Sequence, residues 1–415
     1  MSSADGGTLS FARLWAELLP VGRDAATGGY RRYSWTEPDG ACRAWFARTA
    51  TKAGMRTDCD RDGNLWAWWG RPGGAPGASI VTGSHLDSVP DGGAYDGPLG
   101  VVAAFAAISQ LRSQGFRPSR PIGVAAFTEE EGARFGVACL GSRLLTGAIA
   151  PAIARDLRDR DGITLTEAMV AAGRDAARIG PDDDLLAGIG AYVELHIEQG
   201  SALADLGAAV GVADGIWPHG RWRLEFAGRA DHAGTTRLTD RRDPMLPFAA
   251  VVLAARAAAA ANGALATVGK VIAEPGAANA ISASVQAWLD ARAPDEQALD
   301  KVVAAVTAAA QDSAGRHGVG VRMRRESFSP GVRFDTGLRD RLAKVVGAES
   351  GAPAPVLGTG AGHDAGILAA RVPAGMLFVR NPTGVSHSPA EHADAADCEA
   401  GVTALAAVLA DLAGE

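Results

Sequence analysis

Short apolar runs that end on metal-binding side chains recur along this 415-residue chain, and that recurrence constrains its fold more than any other feature. Ser79-Ile80-Val81-Thr82 leads into Gly83-Ser84-His85-Leu86-Asp87, and Gly123 to Phe127 gives way to Thr128-Glu129-Glu130-Glu131-Gly132. Ala191 to Leu195 is followed by His196, Ala354 to Leu357 precedes His363-Asp364, and Pro373 to Val379 runs into a Pro/Gly loop holding His387. Each run has the length and composition of a buried strand. In an open α/β sheet, ligands bind in the crevice beyond the carboxyl ends of the strands, so separate strand ends can deliver these side chains to one place.

The stretches between the runs supply the other layer. Ala41 to Ala53 and the apolar Leu99 to Gln114 read as helices, while Met55 to Cys59 and Asn64 to Trp69 read as strands around the turn Asp60-Arg61-Asp62-Gly63. Trp66, Trp68 and Trp69 read as a hydrophobic sheet face. Further on the pattern changes: Arg221 to Phe226 alternates as a strand, Pro244 to Asn262 is an alanine-rich helix, and Ala266 to Ile272 and Ser282 to Arg292 are strands. Asp295 to Ser313 has helical periodicity and Val319 to Glu326 closes as a strand, so the order is β-α-β-β-α-β, a ferredoxin-like unit. The expectation is an α/β protein of two domains. A catalytic domain with a central mostly parallel sheet flanked by helices takes residues 1–210 and 327–415, with Asp394 to Leu412 as its closing helix; the inserted ferredoxin-like α+β domain takes 211–326.

The chemistry is legible at two places. His85, Asp87 and Asp96 have the make-up of half a two-metal hydrolase site, which needs neutral imidazoles on each ion and an aspartate whose two oxygens reach both. Asp87, two residues past His85, has the spacing to accept the other ring N–H and fix the tautomer, an outer supporting role. Taken alone, His-x-Asp describes surface loop residues equally well. The triplet Glu129-Glu130-Glu131 adds weight, because adjacent carboxylates at the end of an apolar run repel one another unless a cation neutralises them. A two-metal amide hydrolase needs one carboxylate as ligand and a neighbour as proton shuttle, and Glu131 and Glu130 fit those roles.

Composition narrows the partner. With 47% hydrophobic and 21% charged residues the chain is globular, and its net charge of −7, with no basic run, gives no reason to expect nucleic acid. Met1 to Gly7 lacks a positive stretch followed by an apolar one, and no segment offers an uninterrupted apolar span, so a cytoplasmic location and no membrane contact are expected. Cys42, Cys59, Cys139 and Cys398 are scattered without Cys-x-x-Cys spacing and read as core thiols. A small-molecule substrate is the default.

Seven motifs then carry a resemblance across nearly the whole chain: Gly83-Ser84-His85-Leu86-Asp87-Ser88-Val89, Tyr95-Asp96-Gly97-Pro98-Leu99-Gly100, Thr128-Glu129-Glu130-Glu131-Gly132, Glu194-Leu195-His196-Ile197-Glu198-Gln199-Gly200, Asp231-His232-Ala233-Gly234-Thr235-Thr236, Gly362-His363-Asp364-Ala365 and Ser386-His387-Ser388-Pro389. In this order they are similar to the M20-type superfamily of metal-dependent aminoacylases and carboxypeptidases. Glu-x-His-Ile-Glu-Gln-Gly resembles the branch of N-carbamoyl-L-amino-acid hydrolases, β-ureidopropionases and allantoate amidohydrolases.

The resemblance implies two divalent metal ions per subunit, held by His85, Asp96, Glu131, His196 and His387 with Asp96 between them, and Glu130 as general base. Three histidines and two carboxylates suit Zn²⁺, Mn²⁺, Co²⁺ or Ni²⁺. It further implies substrate contacts at Gln199, His232, Asn279 and Arg292, the last paired with a carboxylate, and His363 facing the substrate or supporting a ligand. The inserted domain would serve as lid and dimerisation surface of a homodimer. The implied reaction removes the carbamoyl (ureido) group of a small carboxylate, an N-carbamoyl-L-amino acid or allantoate, as carbamate that decays to ammonia and carbon dioxide. A dipeptidase or N-acyl-amino-acid hydrolase and a non-catalytic binding homologue are the alternatives. Trp217, His219 and Arg237 depart from the common family pattern and bear on the choice of substrate.

Overall fold

A computed structural model describes residues 9–73 and 75–414. The leaderless reading of Met1 to Gly7 lies outside the described residues. By the density of internal contacts the chain divides into two units, residues 1–215 with 333–415, and residues 216–332.

The larger unit opens with strands β1 (Arg56–Cys59), β2 (Leu65–Trp69), β3 (Ser79–His85), β4 (Ile122–Phe127), β5 (Ile189–Ile197) and β6 (Val210–Ile216). The chain then forms β7 (His219–Ala227), β8 (Asp231–His232), β9 (Leu265–Glu274), β10 (Ala280–Ile281), β11 (Ser284–Arg292) and β12 (Gly320–Ser329) in the smaller unit. It returns for β13 (Val332–Arg333), β14 (Val356–Thr359) and β15 (Ala374–Val379).

In the larger unit these strands make one sheet in the order β1-β2-β4-β3-β5-β15-β6-β13, with β14 also beside β6. Its centre is parallel, β4 with β3, β3 with β5 and β5 with β15, and its flanks are antiparallel. The parallel strands β3, β4 and β15 are buried at every position, which is why they read as unbroken apolar runs instead of alternating ones. Helices Pro98–Ser113 and Ala395–Ala413 pack on each other and on this sheet; the first is buried nearly all round, so it shows no polar stripe. Trp66 and Trp68 are buried and their rings stack 5.8 Å apart, the sheet face anticipated for them.

The smaller unit is a four-stranded antiparallel sheet, β12-β7-β11-β9, with helices Met245–Ala261 and Glu296–His317 packed together. β11 alternates buried and half-buried residues, with Val285, Ala287, Leu289 and Ala291 turned into that unit's core. The fold class is therefore the α/β arrangement with an inserted α+β unit.

Two expected limits move. Residues 211–215 belong to the large sheet, since Gly211 and Val212 on β6 pair with Phe378 and Leu377 on β15, and β12 continues past Glu326 to Ser329. No helix among the described residues is long and apolar enough to cross a membrane.

Candidate metal centre

The register of the parallel strands builds the site. Gly83 lies opposite Glu194, which places His85 level with His196, and β5 and β15 end together at Ile197 and Val379. After β3 the chain loops to Asp96 and turns straight into the helix Pro98–Ser113, whose first residue is a proline as helix starts favour. Gly97 makes this turn with φ +86°, and a Cβ there would lie 2.4 Å from the His85 ring, so a glycine is required for the helix to begin against that histidine. Glu391, remote in sequence, accepts the amides of Tyr95 at 2.9 Å and Asp96 at 3.0 Å on one carboxylate oxygen and fixes the loop from the other side.

The acidic triplet divides its labour. Glu129 turns away: in a left-handed conformation (φ 56°), its carboxylate accepts the amides of Arg134 and Phe135 at 2.8 and 2.7 Å. Asp87 accepts the amides of Glu130 and Glu131, one on each oxygen at 3.1 Å, and so sets the direction of both neighbours. The same residue meets the His85 ring, whose Nδ1 lies 3.3 Å from the Asp87 carbonyl oxygen and 3.4 Å from Oδ1.

The side chains converge as two trios that share Asp96. Its Oδ1 faces His196 Nε2 at 3.1 Å and His85 Nε2 at 3.7 Å; its Oδ2 faces His387 Nε2 at 3.4 Å, and His387 Nε2 lies 3.5 Å from Glu131 Oε2. Within each trio the ligand atoms all lie within 4.8 Å of one another. Glu130 Oε2 stands 3.6 Å from His85 Nε2.

These residues fit divalent metal ions. His85 Nε2, His196 Nε2 and Glu131 Oε1 are buried with no hydrogen-bond partner, an expensive arrangement unless something else satisfies them. Both rings are anchored through the opposite nitrogen, His196 Nδ1 to the Ile197 carbonyl at 2.8 Å, which leaves the Nε2 lone pairs for a ligand. Charge makes the same point. Asp87, Asp96, Glu129, Glu130, Glu194, Asp364 and Glu391 are buried around Glu131, and none of the ion pairs of the described residues joins them to a lysine or arginine.

Burial and neighbouring charges displace the pKa values of these groups. Burial, with Asp96 beside it, pushes Glu131 up to about 9. Burial drives Glu130 well above the usual carboxylate range, eased by His85 and reinforced by Asp364 and Glu131. Burial opposes charge on His85, but Glu130, Asp87 and Asp96 outweigh it and hold that ring well above the ordinary histidine value. Burial likewise raises Asp96, yet His196 and His85 overcome it and keep it well below 3.8.

The remaining candidates fall into two groups. In the larger unit, Gln199 donates from Nε2 to Asp96 Oδ2 at 3.3 Å and accepts from the Ser386 hydroxyl. His363 is the residue before the helix Asp364–Leu368, its ring 4.5 Å from that of His196, and burial together with that neighbour keeps it neutral. In the smaller unit, His232 and Asn279 are drawn together by the β8–β10 pairing, where the Ala233 amide donates to the Asn279 carbonyl at 3.0 Å. Arg292 ends β11 opposite His219 and donates to Asp290 at 2.9 Å. His392 bonds Asp394 at the surface.

Sequence reasoning passed over Glu391, Glu194, Asp364 and Cys139. Glu194 carried a signal, since two residues before His196 on a strand it shares that face; it accepts from Ser84 at 2.8 Å and from the Ala365 amide at 2.9 Å. Glu391 carried none, because its partners lie 295 and 296 residues away.

Known proteins resemble this chain over nearly its whole length. The model of peptidase family M20/M25/M40 matches residues 81–411. The N-carbamoyl-L-amino acid amidohydrolase of Geobacillus stearothermophilus is 37% identical over 95% of this chain and 96% of its own length. The allantoate amidohydrolase of Bacillus subtilis is 34% identical over 94% of each. A crystal structure of a hydantoinase/carbamoylase family amidase from Burkholderia ambifaria superposes with a TM-score of 0.87 at 33% identity, covering 98% of both chains.

Proposed function

The chain belongs to peptidase family M20/M25/M40, and from that premise we propose that it is a metal-dependent amidohydrolase that removes the carbamoyl group of a small ureido carboxylate, an N-carbamoyl-L-amino acid or allantoate. It is a hydrolase of C–N bonds other than peptide bonds, the class of the relatives that match its whole length. The observation that carries the finer reading is the pair of donor trios, His85–Asp96–His196 and Asp96–Glu131–His387, meeting on the two oxygens of one aspartate.

Two divalent ions held there, of the Zn²⁺, Mn²⁺, Co²⁺ or Ni²⁺ type, supply a Lewis acid and a water that ionises near neutral pH. The protein does the rest. Glu130, with Oε2 beside the cluster, takes the proton of the attacking water and returns it to the leaving nitrogen. Asp87 holds the backbone of the base and its neighbour in register. The neutral ring of His363 and the amide of Gln199, both at the cluster, are assigned to the substrate's polar groups. His232, Asn279 and Arg292 are assigned to the substrate on the strength of the motif match, with Arg292 for its carboxylate. Carbamate leaves and decays to ammonia and carbon dioxide.

The smaller unit is proposed as the lid and the dimerisation surface of a homodimer. Exposed Leu253 on the helix Met245–Ala261 and exposed Leu265 and Val271 on β9 leave that unit apolar surface for such an interface.

The test is ammonia release from allantoate, N-carbamoyl-β-alanine and a set of N-carbamoyl-L-amino acids, beside release of free amino acid from a dipeptide and an N-acyl amino acid. Turnover of the last two alone would replace the ureido reading with the peptidase or aminoacylase one. Glu130→Gln should keep its metal and lose turnover; an inert wild-type protein would mark a binding homologue.

A further inference from the structure

Cys139 belongs to the core by composition, yet its place in the fold ties it to the proposed reaction. It is the residue before the helix Leu140–Thr146 and adopts a left-handed conformation, φ 55°, which a residue with a side chain takes at a cost of about 1 kcal/mol or more. The conformation is imposed by a short backbone ladder. The amides of Cys139, Leu140 and Gly141 donate in turn to the carbonyls of Glu130, Glu129 and Thr128, at 2.6, 3.0 and 2.9 Å. The ladder is closely packed, since a Cβ on Gly141 would lie 2.1 Å from Asn64 Oδ1 and 2.8 Å from the Thr128 backbone. Cys139 is thereby fixed directly across from Glu130, with its Sγ 3.2 Å from Glu130 Oε1 and the thiol buried. The other oxygen of that carboxylate faces His85.

We propose that Cys139 is a positioning residue for the base: its S–H donates to Oε1 of Glu130 and holds the carboxylate with Oε2 turned to the cluster. The thiol is placed as the donor to this oxygen, and burial, then Glu130 and Asp364, favour its protonated form. Glu130 accepts no other side-chain hydrogen bond among those described, so without the thiol its carboxylate keeps only the His85 contact to choose a rotamer. A general base works by geometry before basicity, and a carboxylate free to rotate spends less time aimed at the water. The inference rests on the reading of Glu130 as base.

Three substitutions separate the hydrogen bond from the fold. Cys139→Ala removes the donor, Cys139→Gly removes it while relieving the left-handed backbone, and Cys139→Ser keeps a donor of shorter reach and greater strength. Measured as ammonia release from the best ureido substrate, with metal content checked in each protein, the alanine and glycine variants should lose roughly 5- to 30-fold in kcat with KM nearly unchanged, and serine should stay within about threefold of wild type. Full kcat in the alanine and glycine variants, or a serine variant as slow as alanine, overturns the proposal. Glu130→Gln is the companion: an inactive Glu130→Gln beside fully active Cys139 variants overturns the positioning role alone, whereas a fully active Glu130→Gln overturns the base assignment and this inference with it.

Discussion

Asp87→Asn is the sharpest probe of how the acidic loop is held. Asp87 spends one carboxylate oxygen on the Glu130 amide and the other on the Glu131 amide, both at 3.1 Å. Asparagine keeps one acceptor and presents an NH₂ group to the second amide, so one hydrogen bond is lost and two donors face each other. A hydrogen bond to a charged group contributes about 1.5–3 kcal/mol. If that loss falls on the alignment of Glu130 in the transition state, kcat drops by ~10- to 100-fold. The ligand atoms themselves are untouched, so metal content should stay at the wild-type stoichiometry and KM should move little. The assay is steady-state ammonia release alongside elemental analysis of the dialysed protein. Activity within twofold of wild type would refute the alignment argument; loss of activity in step with loss of metal would move Asp87 from holding the loop to holding the ions.

Four further outcomes follow from the geometry. Glu391→Ala removes the acceptor of the Tyr95 and Asp96 amides and should weaken metal affinity ~10- to 100-fold in chelator competition; unchanged affinity would detach Glu391 from the site. Stripping the metal should lower Tm and readdition restore it, because an ion at 100 times its Kd contributes about 2.7 kcal/mol and here also relieves buried like charges; an unchanged melting curve would sink the metal reading. Asp62 is pushed up to about 8 by burial and then by Asp60, well above its value in an unfolded chain. The folded state therefore binds the extra proton between about pH 4 and 8, stability falls as pH rises through that window, and Asp62→Asn should raise Tm at pH 8 by on the order of a few degrees while changing it less at pH 5. Leu253→Glu, on an exposed turn of the helix Met245–Ala261, should convert a dimer to a monomer in sedimentation if that face is the association surface; an unaltered dimer would place the interface elsewhere.

What the sequence made legible were features that depend on local pattern. Runs such as Ile122–Phe127 and Ala374–Val379 are apolar because both faces of a central parallel strand are covered, and their carboxyl ends mark the crevice without any knowledge of tertiary contacts. Helices Glu37–Lys52 and Glu296–His317 follow from the same kind of periodicity. What escaped was set by packing at long range. Glu129 looks identical to Glu130 and Glu131 in the chain, and only its left-handed backbone turns it away to hold Arg134 and Phe135. The limit at 211 was misplaced because β6 is apolar on its own account, and only its pairing with β15 assigns it to the large sheet. The short helix Leu165–Ala171 did have a local signal, the Thr164/Glu167 capping box, that went unused.

The two trios around Asp96 differ in how much water reaches them. His85 and His196 are almost completely enclosed, with side chains 1% exposed, whereas His387, in the loop between β15 and the helix Ala395–Ala413, has 55% of its side chain in solvent. Ions in these positions would therefore exchange on separate clocks, the loop-side one leaving quickly and the interior one slowly. Dialysis against a chelator would pass through a long-lived half-loaded species, and a preparation with one equivalent of metal would be a defined intermediate instead of a mixture of full and empty molecules.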